Sequence, residues 1–146
     1  MAYPENIQRV ADYFAKISDE QKRIQTLISY SKRFKEVPET VARRPFDTEH
    51  RVPECESDVY IWTDVDHENK VHFHAAVENP QGLSAKAFAA ILQKALKDAK
   101  IDDVEKLDDE LVYKVFGKQL SMGKNMGLMG MIRMIKAQTR AQAKNA

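Results

Sequence analysis

Apolar residues recur at helical spacing at Ile7, Val10, Phe14 and Ile17, which predicts an amphipathic helix from about Pro4 to Ile17. Pro4 suits a first helical turn, where its missing N–H costs nothing. Ser18 and Gln21 form a capping-box pattern that should open a second helix. That helix carries Ile24, Leu27, Ile28 and Phe34 toward one face and ends by Pro38. Residues 36–49, with Pro38, Pro45 and scattered charges, read as an irregular connection with room for one helical turn around Glu39–Arg43.

From Asp58 the rhythm changes to alternation. Val59, Ile61, Thr63 and Val65 point one way, and Tyr60, Trp62 and Asp64 the other. Asp66 to Asn69 makes a turn; Val71, Phe73, Ala75 and Val77 then share a face, with His72 and His74 opposite. This is an antiparallel hairpin over about 58–77, and residues 49–53 are placed to add a third, short strand near 50. A hairpin alone is marginal, so the sheet must lie on helices.

Helical periodicity returns after the Asn79–Gly82 turn. Ser84 is placed to cap a helix bearing Phe88, Ile91, Leu92, Ala95 and Leu96, with Leu83 and Phe88 as a hydrophobic staple. Leu107, Leu111, Val112, Val115 and Phe116 pack before Gly117, and a long helix runs from near Ser121 to about Gln142. Its apolar positions include Met126, Leu128, Met129, Met131, Ile132 and Ile135. A helix pair, a small antiparallel sheet and then helices packed on it is an α+β order. With 146 residues and no internal repeat, one domain over 1–146 is expected.

Composition narrows the chemistry. There is one cysteine, so no internal disulfide framework is available, and a reducing cytoplasm is the expected home. No signal peptide and no membrane-spanning apolar run is evident. Net charge is +1 but uneven, about −6 through Glu110 and +7 from Leu111 onward. That basic end reads as a solvated helix, or as a surface for an anionic partner. A nucleic-acid-binding or protein-interaction adaptor built on it is the alternative function. No aromatics interleave the basic residues for base stacking, so nucleic acid is not the expected partner.

Cys55 lies between Pro53, Glu54, Glu56, Ser57 and Asp58, a setting that suits a surface loop better than a core. A lone thiol can be a buried filler, a metal ligand, a nucleophile or a sulfur carrier. His50, His67, His72 and His74 lie in no recognisable cysteine-hydrolase context, and structural zinc normally needs four ligands, so no metal site is expected. Glu54, Glu56 and Asp58 oppose a thiolate, each by roughly 0.5–2.5 kcal/mol at about 7 Å. Arg51 is the nearest cation in sequence, and Lys124 is a second candidate for charge balance. The residues therefore fit a thiol that receives sulfur better than one that initiates catalysis.

The stretch Val52-Pro53-Glu54-Cys55-Glu56-Ser57-Asp58-Val59-Tyr60 resembles the Val-x-Gly-Cys-x-Ser-x-Val-Trp/Tyr signature of the SufE/CsdE family of sulfur-acceptor proteins. Upstream, Arg23-Ile-Gln-Thr-Leu27-Ile28-Ser-Tyr30 is similar to that family's Arg-x-x-x-Leu-Ile-x-Tyr segment. Downstream, Leu120-Ser121-Met-Gly-Lys124-Asn-Met-Gly127-Leu-Met-Gly-Met131 resembles its Leu-Ser-x-x-Arg-x-x-Gly-x-x-x-Met. The three matches keep family order across about 23–131. Glu54 stands where the family has glycine, Lys124 where it has arginine, and Glu78–Gly82 departs from a Ser-Asp-Ala pattern.

The resemblance implies a sulfur carrier that accepts persulfide sulfur on Cys55 from a PLP-dependent cysteine desulfurase of the SufS/CsdA type. It implies that the carrier stimulates that enzyme and passes sulfur to an iron–sulfur scaffold. PLP would belong to the partner, this chain would bind no cofactor beyond a transient Cys55 persulfide, and it would not be a stand-alone enzyme. Arg51 and Lys124 would balance the anionic sulfur, and Glu54, Glu56, Ser57 and Asp58 would shape the loop and meet the partner. The free acceptor's cysteine loop folds inward in that family and swings out on docking.

Overall fold

The computed structural model describes residues 3–53, 55–117 and 120–144. Six helices and one hairpin follow in chain order: α1 Glu5–Ala15, α2 Glu20–Ser31, β1 Val59–Val65, β2 Val71–Val77, α3 Leu83–Ala95, α4 Ile101–Glu105, α5 Glu110–Phe116 and α6 Met122–Lys144. The architecture is α+β, as the order of periodicities predicts. No helix among the described residues is long and apolar enough to cross a membrane.

Ile7, Val10, Ala11 and Phe14 form the buried stripe of α1. In α2 only Leu27 is buried, and Ile24 is 48% exposed, so the expected apolar face is narrower than its spacing suggests. The α2 cap is Asp19, not Ser18; the aspartate stands at the residue where the helix begins, and its side chain accepts from the orphan Gln21 N–H. The α3 cap is Gly82, which places Leu83 and Ser84 inside the first turn and leaves Leu83 exposed. The expected Leu83–Phe88 staple therefore does not form, because Phe88 is fully buried while Leu83 faces outward.

Arg23 ties the helices together. Its guanidinium donates to the Ile17 carbonyl at 2.8 Å and the Val115 carbonyl at 2.8 Å, joining the chain after α1 to the end of α5. Helix carbonyls at a C-terminus lack intrahelical partners, so one fork satisfies acceptors from two places in the chain.

The strands pair antiparallel from Val59↔Val77 to Val65↔Val71. Their inner face buries Val59, Ile61, Phe73, Ala75 and Val77 in one core with Phe88, Ile91 and Leu92 of α3 and Met131, Ile132 and Ile135 of α6. The third strand near 50 is reduced to one bridge, Arg51 to Tyr60, preceded by a 3-10 turn at Thr48–His50.

The outer face is not solvated as strict alternation implies. Trp62 and Ala76 are buried with Val37, and Ala42, Phe46 and Tyr60 pack on them. Residues 36–49 therefore form a strap across the sheet. The Val37 N–H donates to the Ala75 carbonyl at 2.8 Å, and Arg44 pairs with Glu36 and with Glu78, the latter at 2.7 Å. His50 stacks on Trp62 at 5.2 Å, and its Nδ1 meets the Ile61 carbonyl at 2.8 Å.

Candidate functional site

The cysteine loop leaves the Arg51–Tyr60 bridge region and returns into β1. The Val52 N–H donates to the Val59 carbonyl at 2.8 Å, which closes the loop at its base. Asp58 turns it with a φ of +50°, a left-handed conformation that aspartate tolerates better than most residues. The Asn79 N–H donates to the Ser57 carbonyl at 3.2 Å and the Glu78 N–H to the Asp58 carbonyl at 3.1 Å, so the turn after β2 holds the loop from one side.

Helix α6 holds it from the other. A Cβ on Gly130 would stand 2.9 Å from Val52 Cγ1, and one on Gly127 would stand 3.2 Å from both the Cα and Sγ of Cys55. A Cβ on Gly123 would lie 2.8 Å from a Glu56 carboxylate oxygen. The order is antiparallel: residues 52, 55 and 56 face glycines 130, 127 and 123. Each glycine inside a helix costs about 1 kcal/mol relative to alanine. Three on one face therefore mark a backbone that must come close. This socket is the part of the site that motif reading missed. Its signal was present as glycines at i, i+4 and i+7 in a helical segment.

Cys55 itself is 7% exposed, which corrects the expectation of a surface thiol drawn from its charged neighbours. The backbone of the loop lies near the surface while the thiol turns inward, and Glu56 stays exposed, so burying the sulfur does not bury the carboxylate beside it. The inward setting agrees with what the family resemblance implies for a free acceptor. Burial pushes the Cys55 thiol above its ordinary value. The backbone amides of Ser57 and Val59 pull the other way, Asp58 adds to the rise and Arg51 slightly offsets it. At rest, then, the sulfur is a protonated thiol and a poor nucleophile.

A cavity of about 40 Å³ adjoins the sulfur, lined by Cys55, Glu56, Ser57, Ser84, Lys124 and Leu128 among others. It has room for one or two water-sized atoms. The fold thus brings Lys124 to the cysteine, sixty-nine positions away in sequence. Arg51 is engaged differently: its guanidinium pairs with Asp58 at 2.6 Å, neutralising one of the loop's acids. Glu54 lies outside the described residues.

The histidines stand elsewhere: His72 bonds Asp66 and His50 stacks on Trp62. Among the described residues no histidine lines the cavity, and no three or more His, Cys, Asp or Glu side chains converge as metal ligands. The basic end of the chain is largely engaged within the fold: Arg133 pairs with Asp109, Arg140 with Glu105, and Lys136 donates to the Leu107 carbonyl.

A family model described as "SufE: Fe-S metabolism associated domain" matches residues 8–139. The solution structure of a hypothetical protein from Thermus thermophilus is similar over 97% of this chain and 98% of that one, with a TM-score of 0.75 and 22% identity. At that identity the likeness speaks to the fold alone. No curated protein sequence matches.

Proposed function

The chain belongs to the SufE family of Fe-S metabolism associated domains, and from that membership we propose that it is a sulfur carrier working through Cys55. A PLP-dependent cysteine desulfurase of the SufS/CsdA type presents a cysteine persulfide. Cys55 sulfur attacks the outer, sulfane sulfur; the bond between that atom and the desulfurase sulfur breaks. The desulfurase leaves as a thiolate and takes up the proton lost by Cys55. The product is a Cys55 persulfide and a reduced desulfurase thiol, with no external oxidant needed. Removing the persulfide product also stimulates turnover of the desulfurase. The second transfer, to an iron–sulfur scaffold, repeats the exchange with Cys55 as leaving group.

The observation that carries this reading is the inward, buried Cys55 beside a cavity of about 40 Å³. The resting thiol is protected, and the cavity is large enough for one more sulfur atom while the chain travels between partners. Attack requires the loop to leave its socket, where desolvation no longer holds the thiol protonated. Lys124 sits at that cavity and stabilises the anionic sulfur as the loop moves. The Arg51–Asp58 pair keeps one carboxylate from opposing ionisation.

Leu83, Met122 and Met126 are exposed next to the cavity-lining residues Ser84, Gly123 and Gly127, and they supply an adaptable apolar rim for the partner. The basic C-terminal helix is the weaker alternative, since Arg133 and Arg140 already have carboxylate partners within the chain.

The test is intact mass after incubation of the reduced protein with a PLP cysteine desulfurase and L-cysteine, beside Cys55→Ser. One sulfur gained by the wild type alone, and removed by a thiol reductant, is the expected result. Equal gain by Cys55→Ser would overturn the proposal.

A further inference from the structure

A second cleft is remote from the cysteine. It lies between α1, α2 and α3, measures about 620 Å³, and shares no lining residue with the Cys55 cavity. On α3 it begins at Lys94, while the cysteine cavity uses Ala85. Nine residues of helical rise from Ala85 to Lys94 separate the two by roughly 14 Å. Its size falls inside the range of about 300–1,000 Å³ typical of small-molecule sites.

The lining is predominantly cationic. Arg9, Arg33, Lys94 and Lys97 reach it, against Asp98 alone. Arg9 is partnered by Glu5, but among the described residues no carboxylate lies within 4.0 Å of Arg33, Lys94 or Lys97. Arg33 lies against an aromatic ring, its guanidinium carbon 5.2 Å from the centre of Tyr30. A guanidinium fork suits paired oxygens of a phosphate better than a point cation does.

The other walls are aromatic and apolar. Tyr13 lines the cleft, is 50% exposed, and packs perpendicular to the buried Phe14 at 5.6 Å. A neighbouring groove of about 560 Å³ shares Tyr30, Arg33 and Lys94 and extends the space toward Phe73 and His74.

We propose that this cleft binds a phosphorylated, ring-bearing small molecule of the nucleotide type, with its phosphates at Arg33, Lys94 and Lys97 and its ring on Tyr13. The cluster joins a guanidinium fork, two further cations and a half-exposed aromatic ring in one concave space. The competing use of Lys94 and Arg33 is to offset the negative ends of α3 and α2. That role needs neither the open cleft nor Tyr13.

The two accounts separate in an NMR titration of the full-length ¹⁵N-labelled chain with ADP, pyrophosphate and adenosine at low salt. The expected result is saturable shifts of cleft amides on α1, α2 and α3 with a Kd below about 1 mM for ADP, weakening as salt rises. Lys94→Gln/Lys97→Gln, at two exposed positions, and Arg33→Gln should each weaken ADP at least about tenfold with an unchanged far-UV spectrum. Tyr13→Ala should weaken ADP and leave pyrophosphate unaffected. No saturable shift by about 5 mM ADP would overturn the proposal, as would undiminished affinity in the lysine variant. Pyrophosphate, or a glutamate-rich peptide, binding more tightly than ADP would overturn it as well. Sulfur transfer to Cys55 is unaffected by either outcome, so failure here is distinguishable from failure of the carrier function.

Discussion

Two irregular segments lie on this fold, and they are held in opposite ways. The strap of residues 36–49 covers the outer sheet face with large side chains: Phe46 packs edge-on to Trp62 at 4.9 Å, and Arg44 lies over Phe46 at 4.9 Å while pairing with Glu36 and Glu78. The cysteine loop instead meets α6 at three glycines, with Val52, Cys55 and Glu56 against Gly130, Gly127 and Gly123. Aromatic burial contributes over large areas and is lost as a unit. A glycine contact contributes fit more than area, so a segment resting on it can depart with less loss. On the proposed function, the difference predicts that the strap stays fixed and that the cysteine loop is the segment that leaves its seat.

The largest effect should come from the fixed side. Trp62 is 9% exposed and central to the outer cluster. Trp62→Ala should lower unfolding free energy by about 3–5 kcal/mol, measured by urea denaturation, through lost burial and the cavity left under the strap. An unchanged midpoint would mean that the strap is not anchored by aromatic packing, and the comparison would collapse.

On the mobile side the effect should fall on reactivity rather than stability. Gly127→Ala places a methyl 3.2 Å from Cys55 Cα, a backbone atom that cannot yield alone. Overpacking costs about 1–3 kcal/mol, while alanine in a helix returns about 1 kcal/mol. The loop escapes the remaining cost by leaving its socket. Thermal stability should therefore change little, whereas alkylation of Cys55 by iodoacetamide near pH 7 should quicken roughly tenfold. Gly123→Ala is the control, because its methyl meets only the mobile end of the exposed Glu56 carboxylate. Equal acceleration in both variants would sink the socket model.

These contrasts mark how far the sequence could be read. Helix stripes and the two faces of the hairpin follow from periods of 3.6 and 2, and Val59, Ile61, Val71 and Phe73 are buried as alternation requires. The outer face was not legible, because Trp62 alternates onto a side that only a distant strap covers. Nor does local sequence show that Cys55 turns inward, since its neighbours are charged. The burial is supplied by α6, about seventy residues later in the chain. Caps at Asp19 and Gly82 rather than Ser18 and Ser84 were decided by one-residue geometry. Lys124 was legible as a candidate for charge balance, and its place at the Cys55 cavity came only with the fold.

A smaller effect follows the pH. Burial raises the Cys55 thiol, so native-state alkylation should increase with pH along a curve whose midpoint lies above the ordinary thiol value of about 8.5. The linkage has a definite sign. With the folded value raised, the stability contribution is fully present below the unfolded thiol value and is lost as pH rises through the folded one. The stability of wild type relative to Cys55→Ala should therefore decline in that alkaline window. In Gly127→Ala the alkylation midpoint should move back toward the ordinary value. A wild-type midpoint already at or below the ordinary value would mean that the loop is outward in solution.

The smallest effect concerns a third connection, the β1–β2 turn, which has neither a glycine socket nor aromatic cover. Asp66 holds it with one carboxylate. Its Oδ1 accepts from the Glu68 N–H at 2.8 Å and the Lys70 N–H at 3.0 Å, and its Oδ2 meets His72 Nε2 at 2.8 Å. The His72 bond first, and those amides with it, hold the Asp66 carboxyl down at about 2. A depressed carboxylate stabilises above its unfolded value of about 3.9, and the contribution disappears as pH falls through the folded value. Asp66→Asn should therefore lower the thermal midpoint slightly at neutral pH, with the difference shrinking as pH falls toward about 2 and vanishing below it. The loss stays small because the site is exposed and solvent screens the pair. Melting curves of the two proteins across that range decide it. A difference that persists in acid would show that shape, not charge, holds this turn, and would place it with the packed strap rather than between the two extremes.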